Sequence, residues 1–204
     1  MSVDDGRRSS IAGAAGTRER ILKVATRLFL REGLDAVTMR CVSAPLGLTA
    51  PAIYRHFRAR DALVSAIAEE GFVIFERYLR CALVARSAGA RLERVLVQYL
   101  EFALDHPSYY GLMFLTPRPT VRTYPRELDR KHSPTFTILV DRIEEGMATG
   151  LLRPGDARET ALVTWAFIHG MVALKRAGRF PQGDGAFRGL YRRSVRRWLQ
   201  GLRS

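Results

Sequence analysis

Residues 38–60 read TMRCVSAPLGLTAPAIYRHFRAR, and their spacing predicts two short helices joined by a tight turn. Thr38 stands where a helix cap is needed, and Met39, Val42 and Leu46 follow as an apolar stripe. Gly47 occupies the position after a helix where a left-handed residue is required, and Leu48 folds back onto the core. Thr49 then caps a second helix whose first turn holds Pro51, where a missing N–H is harmless. Ile53 and Phe57, four apart, point inward, whereas Ala50, Arg55 and His56 stay outside. A helix-turn-helix of this kind can lay its second helix in the DNA major groove. Pro45 is out of place in such a unit. It removes one backbone hydrogen bond and pushes residue 44 from helical geometry, so the first helix is expected to kink or end early.

The flanks extend the pattern. Ile21, Leu22, Ala25, Leu28 and Phe29 form one face of a preceding helix, which Thr17 is expected to cap and Gly33 to end. The resulting three-helix domain, residues 17–60, has an expected core of Ile21, Leu28, Phe29, Val42, Leu46, Ile53 and Phe57. Residues 1–16 are small, polar and charged without periodicity, which reads as a flexible basic arm. Arg7 and Arg8 either extend along DNA or are simply solvated.

These residues resemble the N-terminal signature of the TetR family of bacterial transcriptional repressors. The match runs through Arg20-Ile-Leu, Ala25, Leu28-Phe29, Glu32-Gly33-Leu34, Thr38, Val42, Gly47-Leu-Thr49, Ile53-Tyr54-Arg-His56-Phe57 and Arg60-Asp61. The resemblance implies phosphate contacts from Thr38, Tyr54, His56 and Arg60, a role that suits the chemistry of these side chains and of Thr49. Arg40 and Arg55 are candidates for bidentate contact with guanine, and Ala50, Pro51 and Ala52 for contact with a thymine methyl. Solvated surface charge is the alternative for each arginine.

From Asp61 the pattern is that of a larger helical domain, residues 61–204. A long helix carries Leu63, Ile67, Ile74, Phe75, Tyr78, Leu79 and Ala82, and a second runs from about Ala90 to Asp105. His106-Pro107 breaks it before a short aromatic helix at Tyr109–Phe114, and three prolines within residues 116–125 predict a loop. Ser133-Pro134 and Asp156 with Glu159 open two further helices. The last helix places Phe187, Leu190, Tyr191, Val195, Trp198, Leu199 and Leu202 on one side and arginines on the other. No strand pattern occurs, so the expected fold is all-α.

The stretches Phe102-Ala-Leu-Asp-His106-Pro107 and Trp165-Ala-Phe-Ile-His169-Gly170 resemble a C-terminal ligand-domain subtype of the same family. His169 lies four residues after Trp165 in an otherwise apolar helix. It is either a satisfied core histidine or a polar handle in an effector pocket walled by Phe102, Tyr109, Tyr110, Met113, Phe114 and Trp165. The stripe at Phe187, Leu190, Tyr191, Val195, Trp198 and Leu199 is too apolar for solvent and is read as a homodimer interface. The resemblance implies the same arrangement, with the last two helices of each subunit pairing and two reading heads on a palindromic operator.

Composition narrows the function classes. The 204 residues carry a net charge of +13, and residues 1–60 hold 11 basic against 5 acidic side chains, which favours a polyanionic partner. Genomic base composition is the alternative explanation for the arginine excess. The two cysteines fit a reducing cytoplasm, no secretory leader is evident, and the longest apolar run suits a buried helix better than a bilayer span. The four histidines lack metal-site spacing, and no nucleophile or phosphate-loop motif occurs, so neither an enzyme nor a metal or other cofactor is expected. The expected partners are double-stranded DNA, a small-molecule effector and a second copy of the chain. Rival readings are a DNA-binding regulator without a pocket, and a basic helical protein acting at membranes or as a scaffold.

Overall fold

The computed structural model describes residues 5–117, 128 and 133–203, and every element in them is helical. In order these are α1 (Asp5–Glu32), α2 (Met39–Ser43), α3 (Ala50–Tyr54), α4 (Arg60–Cys81), α5 (Ala88–Asp105), α6 (Pro107–Tyr110), α7 (Pro134–Ala148), α8 (Ala157–Arg176) and α9 (Asp184–Gly201), with short 3-10 turns and one π-helical stretch between them. The fold is therefore all-α. The loop expected over 116–125 lies outside the described residues beyond residue 117, as do His132 and the side chains of Arg7 and Arg8.

The chain divides into two compact units, one within Met1–Gly71 and Gly111–Thr120 and the other within Phe72–Tyr110 and Val121–Ser204. In the first, Ile21, Ala25, Phe29, Val37, Val42, Ile53 and Phe57 are almost fully buried, as are Leu63, Val64 and Ile67 of α4. Each large side chain so buried contributes roughly 1.5–3 kcal/mol relative to exposure. Leu28 and Leu46, expected in this core, are only half-buried. Val37 and the first turns of α4 supply apolar surface in addition, so the core is larger than three helices alone could make.

Two expectations about helix starts are corrected. Thr17 does not cap α1, which runs unbroken from Asp5. Ala12, Ala14 and Ala15 have high helix propensity and carry the helix back through Gly13 and Gly16. Thr49 has the extended backbone of a cap residue, but its side chain makes no capping bond. Thr38 does cap α2, its hydroxyl accepting from the Cys41 amide at 3.1 Å. Pro45 has the expected effect: α2 stops at Ser43 and tightens into a 3-10 turn over Ala44–Leu46. Gly47 follows with φ 62°, ψ 24°, and its amide and that of Leu48 return to the carbonyls of Ala44 and Ser43.

The second unit is built on α5, whose Leu92, Val95, Leu96, Tyr99, Leu100, Phe102 and Ala103 are buried. Ser87 caps it, accepting from the Ala90 amide, and Asp156 caps α8 by accepting from the amides of Arg158 and Glu159. Ser133 precedes Pro134 at the start of α7 but makes no side-chain cap bond. The aromatic stretch expected as one short helix is α6 followed by a π-helical turn over Gly111–Leu115.

The stripe of α9 is packed within the protomer. Phe187, Tyr191 and Val195 are 0–1% exposed within the protomer, and Leu199 is buried beside them. The Tyr191 hydroxyl donates to the Leu96 carbonyl of α5 at 2.8 Å. Arg188 and Arg196 fix the same pairing through Glu101 and Glu93 of α5. This stripe is thus covered by the chain's own α5, leaving of the expected interface set only Leu190 and Trp198 partly accessible.

Candidate nucleic-acid interface and buried polar cluster

The turn at Gly47 holds α2 and α3 so that Val42, Ile53 and Phe57 face inward. What remains outside is set by that register. Arg40, Thr49, Pro51, Tyr54 and Arg55 are exposed, with Tyr54 at 48%, and Ala52 and His56 are half-buried. Only the backbone of Ala50 is described. Helix α3 is shorter than the spacing suggests. It closes at Tyr54, where Ile53 O accepts from the amides of both His56 and Phe57 and the chain turns. With five residues in each of α2 and α3, neither carries a long dipole, and several first amides are already spent: Cys41 N on Thr38 and Ala52 N on the Thr49 carbonyl, while Pro51 has none.

Thr38 Oγ1 accepts from the Cys41 amide, and its hydroxyl keeps the capacity to donate one further bond. Arg60 is placed differently from the others: half-buried, with Nε donating to Val37 O at 2.7 Å and Nη2 to Leu34 O at 2.6 Å. Two residues not singled out from the sequence border this surface. Arg58 is exposed, and Arg18 of α1 stacks its guanidinium over the Phe57 ring at 4.7 Å. The basic spacing Arg55, Arg58, Arg60 was the available signal for the first; nothing local marks the second.

In the second unit, the Nδ1 atom of His169 lies 2.8 Å from the Tyr99 hydroxyl and 2.9 Å from that of Tyr110. The two hydroxyls are 3.4 Å apart. Nδ1 offers one lone pair or one proton, so the two phenols cannot both be its full partners. Aromatic rings enclose the group: Tyr110 is stacked at 5.9 Å from His169, Trp165 is tilted at 5.9 Å, and Phe75 and Phe102 pack behind. Burial pushes the Tyr110 phenol up to about 12, raises the Tyr99 phenol well above its usual value, and lowers His169 below 6.5. Of the expected pocket wall, this unit brings together Phe102, Tyr110, Trp165 and His169, with Tyr109 beside His106 at 6.3 Å. Met113 and Phe114 belong to the π-helical turn of the first unit.

The histidine predicts a pH effect. The unfolded chain protonates His169 with an ordinary pKa near 6.5, whereas the folded protein resists that proton. Stability is therefore intact above about 6.5, is lost as pH falls below it, and levels off once the buried ring itself titrates. A plot of melting temperature against pH should show this slope, and His169→Gln should flatten it. An unchanged slope in the variant would assign the effect to another group.

Among the described residues, no group of three or more His, Cys, Asp or Glu is placed to hold a metal ion, and no helix is long and apolar enough to cross a membrane.

Known proteins are similar to this chain in sequence and fold. The family model for a tetracyclin repressor-like C-terminal domain matches residues 92–198, and the model for bacterial regulatory proteins of the tetR family matches residues 21–67. The HTH-type transcriptional repressor KstR2 of Mycolicibacterium smegmatis is 23% identical over 143 residues, covering 69% of each chain. A protein of unknown function from Rhodococcus sp. RHA1 has a TM-score of 0.75 at 26% identity, over 92% of this chain and 95% of its own. A TetR-family regulator from Pectobacterium atrosepticum has a TM-score of 0.74 at 18% identity, over 94% of this chain and 96% of its own, a likeness of fold.

Proposed function

The chain belongs to the TetR family of transcriptional regulators, and from that premise we propose that it is a homodimeric repressor that binds a palindromic operator and releases it on binding a small molecule. The observation that carries the DNA half of this reading is the exposed face of α2 and α3. Arg40, Thr49, Tyr54 and Arg55 stand outward from helices whose opposite sides are fully buried. Tyr54, Thr38 and His56 suit phosphate oxygens, which position the protein, and Arg40 and Arg55 suit base edges. Residues 17–60 serve as the reading head, preceded by a basic segment, and the rest of the chain as effector and dimerisation domain. A bacterial cytoplasm is the setting this implies.

The dimer contact is assigned to α8 in place of the α9 stripe. α8 buries Ala161, Thr164, Ile168 and Val172 in its own protomer, yet carries a second apolar row at Val163, Phe167, Gly170 and Leu174. Val163 and Leu174 are 47% and 49% exposed, and Trp198 of α9 stacks on Phe167 at 5.0 Å. That row continues onto the accessible part of α9 and suits a twofold-related copy.

For the effector, the Tyr99–Tyr110–His169 cluster is the one polar group among aromatic walls that this reading would use. A rival reading, a packed domain with no effector, draws on the near-complete burial of Tyr99, Phe102 and Tyr110. Release of bound DNA by an added metabolite in an anisotropy assay would separate the two.

The test of the main reading is selection of duplexes from a random pool. Enrichment of an inverted repeat supports it, and failure to enrich any sequence overturns it. In the same assay, Arg40→Ala should relax the preference at one base pair of each half-site by about 1–3 kcal/mol. An unaltered selection profile would remove Arg40 from base readout.

A further inference from the structure

Arg60 is the first residue of α4, and its guanidinium is engaged inside the protein. Nε and Nη2 donate to two carbonyls three residues apart, Val37 O at 2.7 Å and Leu34 O at 2.6 Å. These carbonyls bracket the 3-10 turn Leu34–Ala36, which otherwise closes through Val37 N to Leu34 O at 3.1 Å. The next residue, Thr38, caps α2. A planar fork with donors on one edge fits two neighbouring carbonyls in a way that a single ammonium cannot. The Val37 side chain is fully buried, so the turn is held from its apolar and its polar side at once. A second polar tie joins α4 to this unit, where Thr26 Oγ1 of α1 donates to Glu70 Oε2 at 2.5 Å.

We propose that Arg60 is a positioning residue that locks the start of α2 to the first turn of α4, and not a phosphate contact. This assignment rests on the DNA-binding reading for its purpose, but its geometry does not.

The experiment compares Arg60→Gln and Arg60→Lys with the unaltered full-length protein, first without DNA. Amide exchange over residues 34–43 should quicken on the order of tenfold in both variants, because two charge-assisted hydrogen bonds are lost. Exchange across α9 should stay unchanged. With a random-sequence duplex, the two variants should lose affinity alike, since lysine keeps the charge but not the fork. Unchanged exchange over 34–43, or a lysine variant that binds the duplex like the unaltered protein, would overturn the proposal. If no variant and not even the unaltered protein binds duplex, the DNA-binding reading fails, and the exchange result still judges the clamp.

Discussion

Tyr191→Ala is expected to destabilise the folded protomer by about 3–5 kcal/mol, the range for removing a large aromatic side chain from a core. Tyr191 is 0% exposed, and its ring lies between Phe187 and the surface of α5. Its hydroxyl also donates to the Leu96 carbonyl, so the truncation removes that hydrogen bond as well as opening a cavity. The milder Tyr191→Phe isolates that hydrogen bond and should cost about 0.5–1.5 kcal/mol. The measurement is urea unfolding at several protein concentrations. A core residue lowers the midpoint equally at each concentration, whereas an interface residue acts by weakening association, with a loss that shrinks as protein is added. A concentration-dependent loss would return α9 to the subunit interface.

That contrast shows where the sequence stops being legible. The apolar stripe of α9 follows from its spacing, and any reading of the chain finds it. The stripe says only that something apolar must cover it, and α5, almost a hundred residues earlier, and a second subunit satisfy that demand equally. Glu93 and Glu101 on α5, which pair with Arg196 and Arg188, were the missing clue. Their partners lie too far along the chain for spacing to reveal.

Around Gly47 the opposite holds. A left-handed residue, a threonine cap at 38 and the early stop at Pro45 are each decided within about four residues, so short-range chemistry suffices. Thr17 shows the limit of the same logic. A threonine before an apolar run is a sound cap signal, but the alanines upstream prolong α1 past it. The site divides in the same way. Tyr54 and Arg55 face outward because Ile53 and Phe57 face inward, a periodicity argument. Arg60 looked like its neighbours because its acceptors, Leu34 and Val37, stand 26 and 23 residues before it. His169 was legible as an oddity among apolar neighbours, but not as the meeting point of Tyr99 and Tyr110.

Val163→Asp combined with Leu174→Asp is expected to yield a folded monomer. On α8 the residues Val163, Phe167, Gly170 and Leu174 follow one another at four, three and four positions, which aligns them along one face. The opposite face is already buried, so the helix can lose the exposed row without losing its own packing. Gly170 sits in the middle of that row, and nothing lies within 4 Å of where its Cβ would be, so another helix could approach closely there. Twofold symmetry brings each new carboxylate into the contact twice, and an unpaired buried charge costs about 3–5 kcal/mol. Light scattering should then report a single chain, while circular dichroism keeps its helical signal. Affinity for a selected inverted repeat should drop by about 10²–10⁴-fold, because the second reading head no longer binds as a tethered neighbour. Since Val163 and Leu174 are about half exposed in the protomer, loss of folding is not the expected outcome. A double variant that remains dimeric would move the interface off α8, and a monomer with undiminished operator affinity would detach dimerisation from DNA recognition altogether.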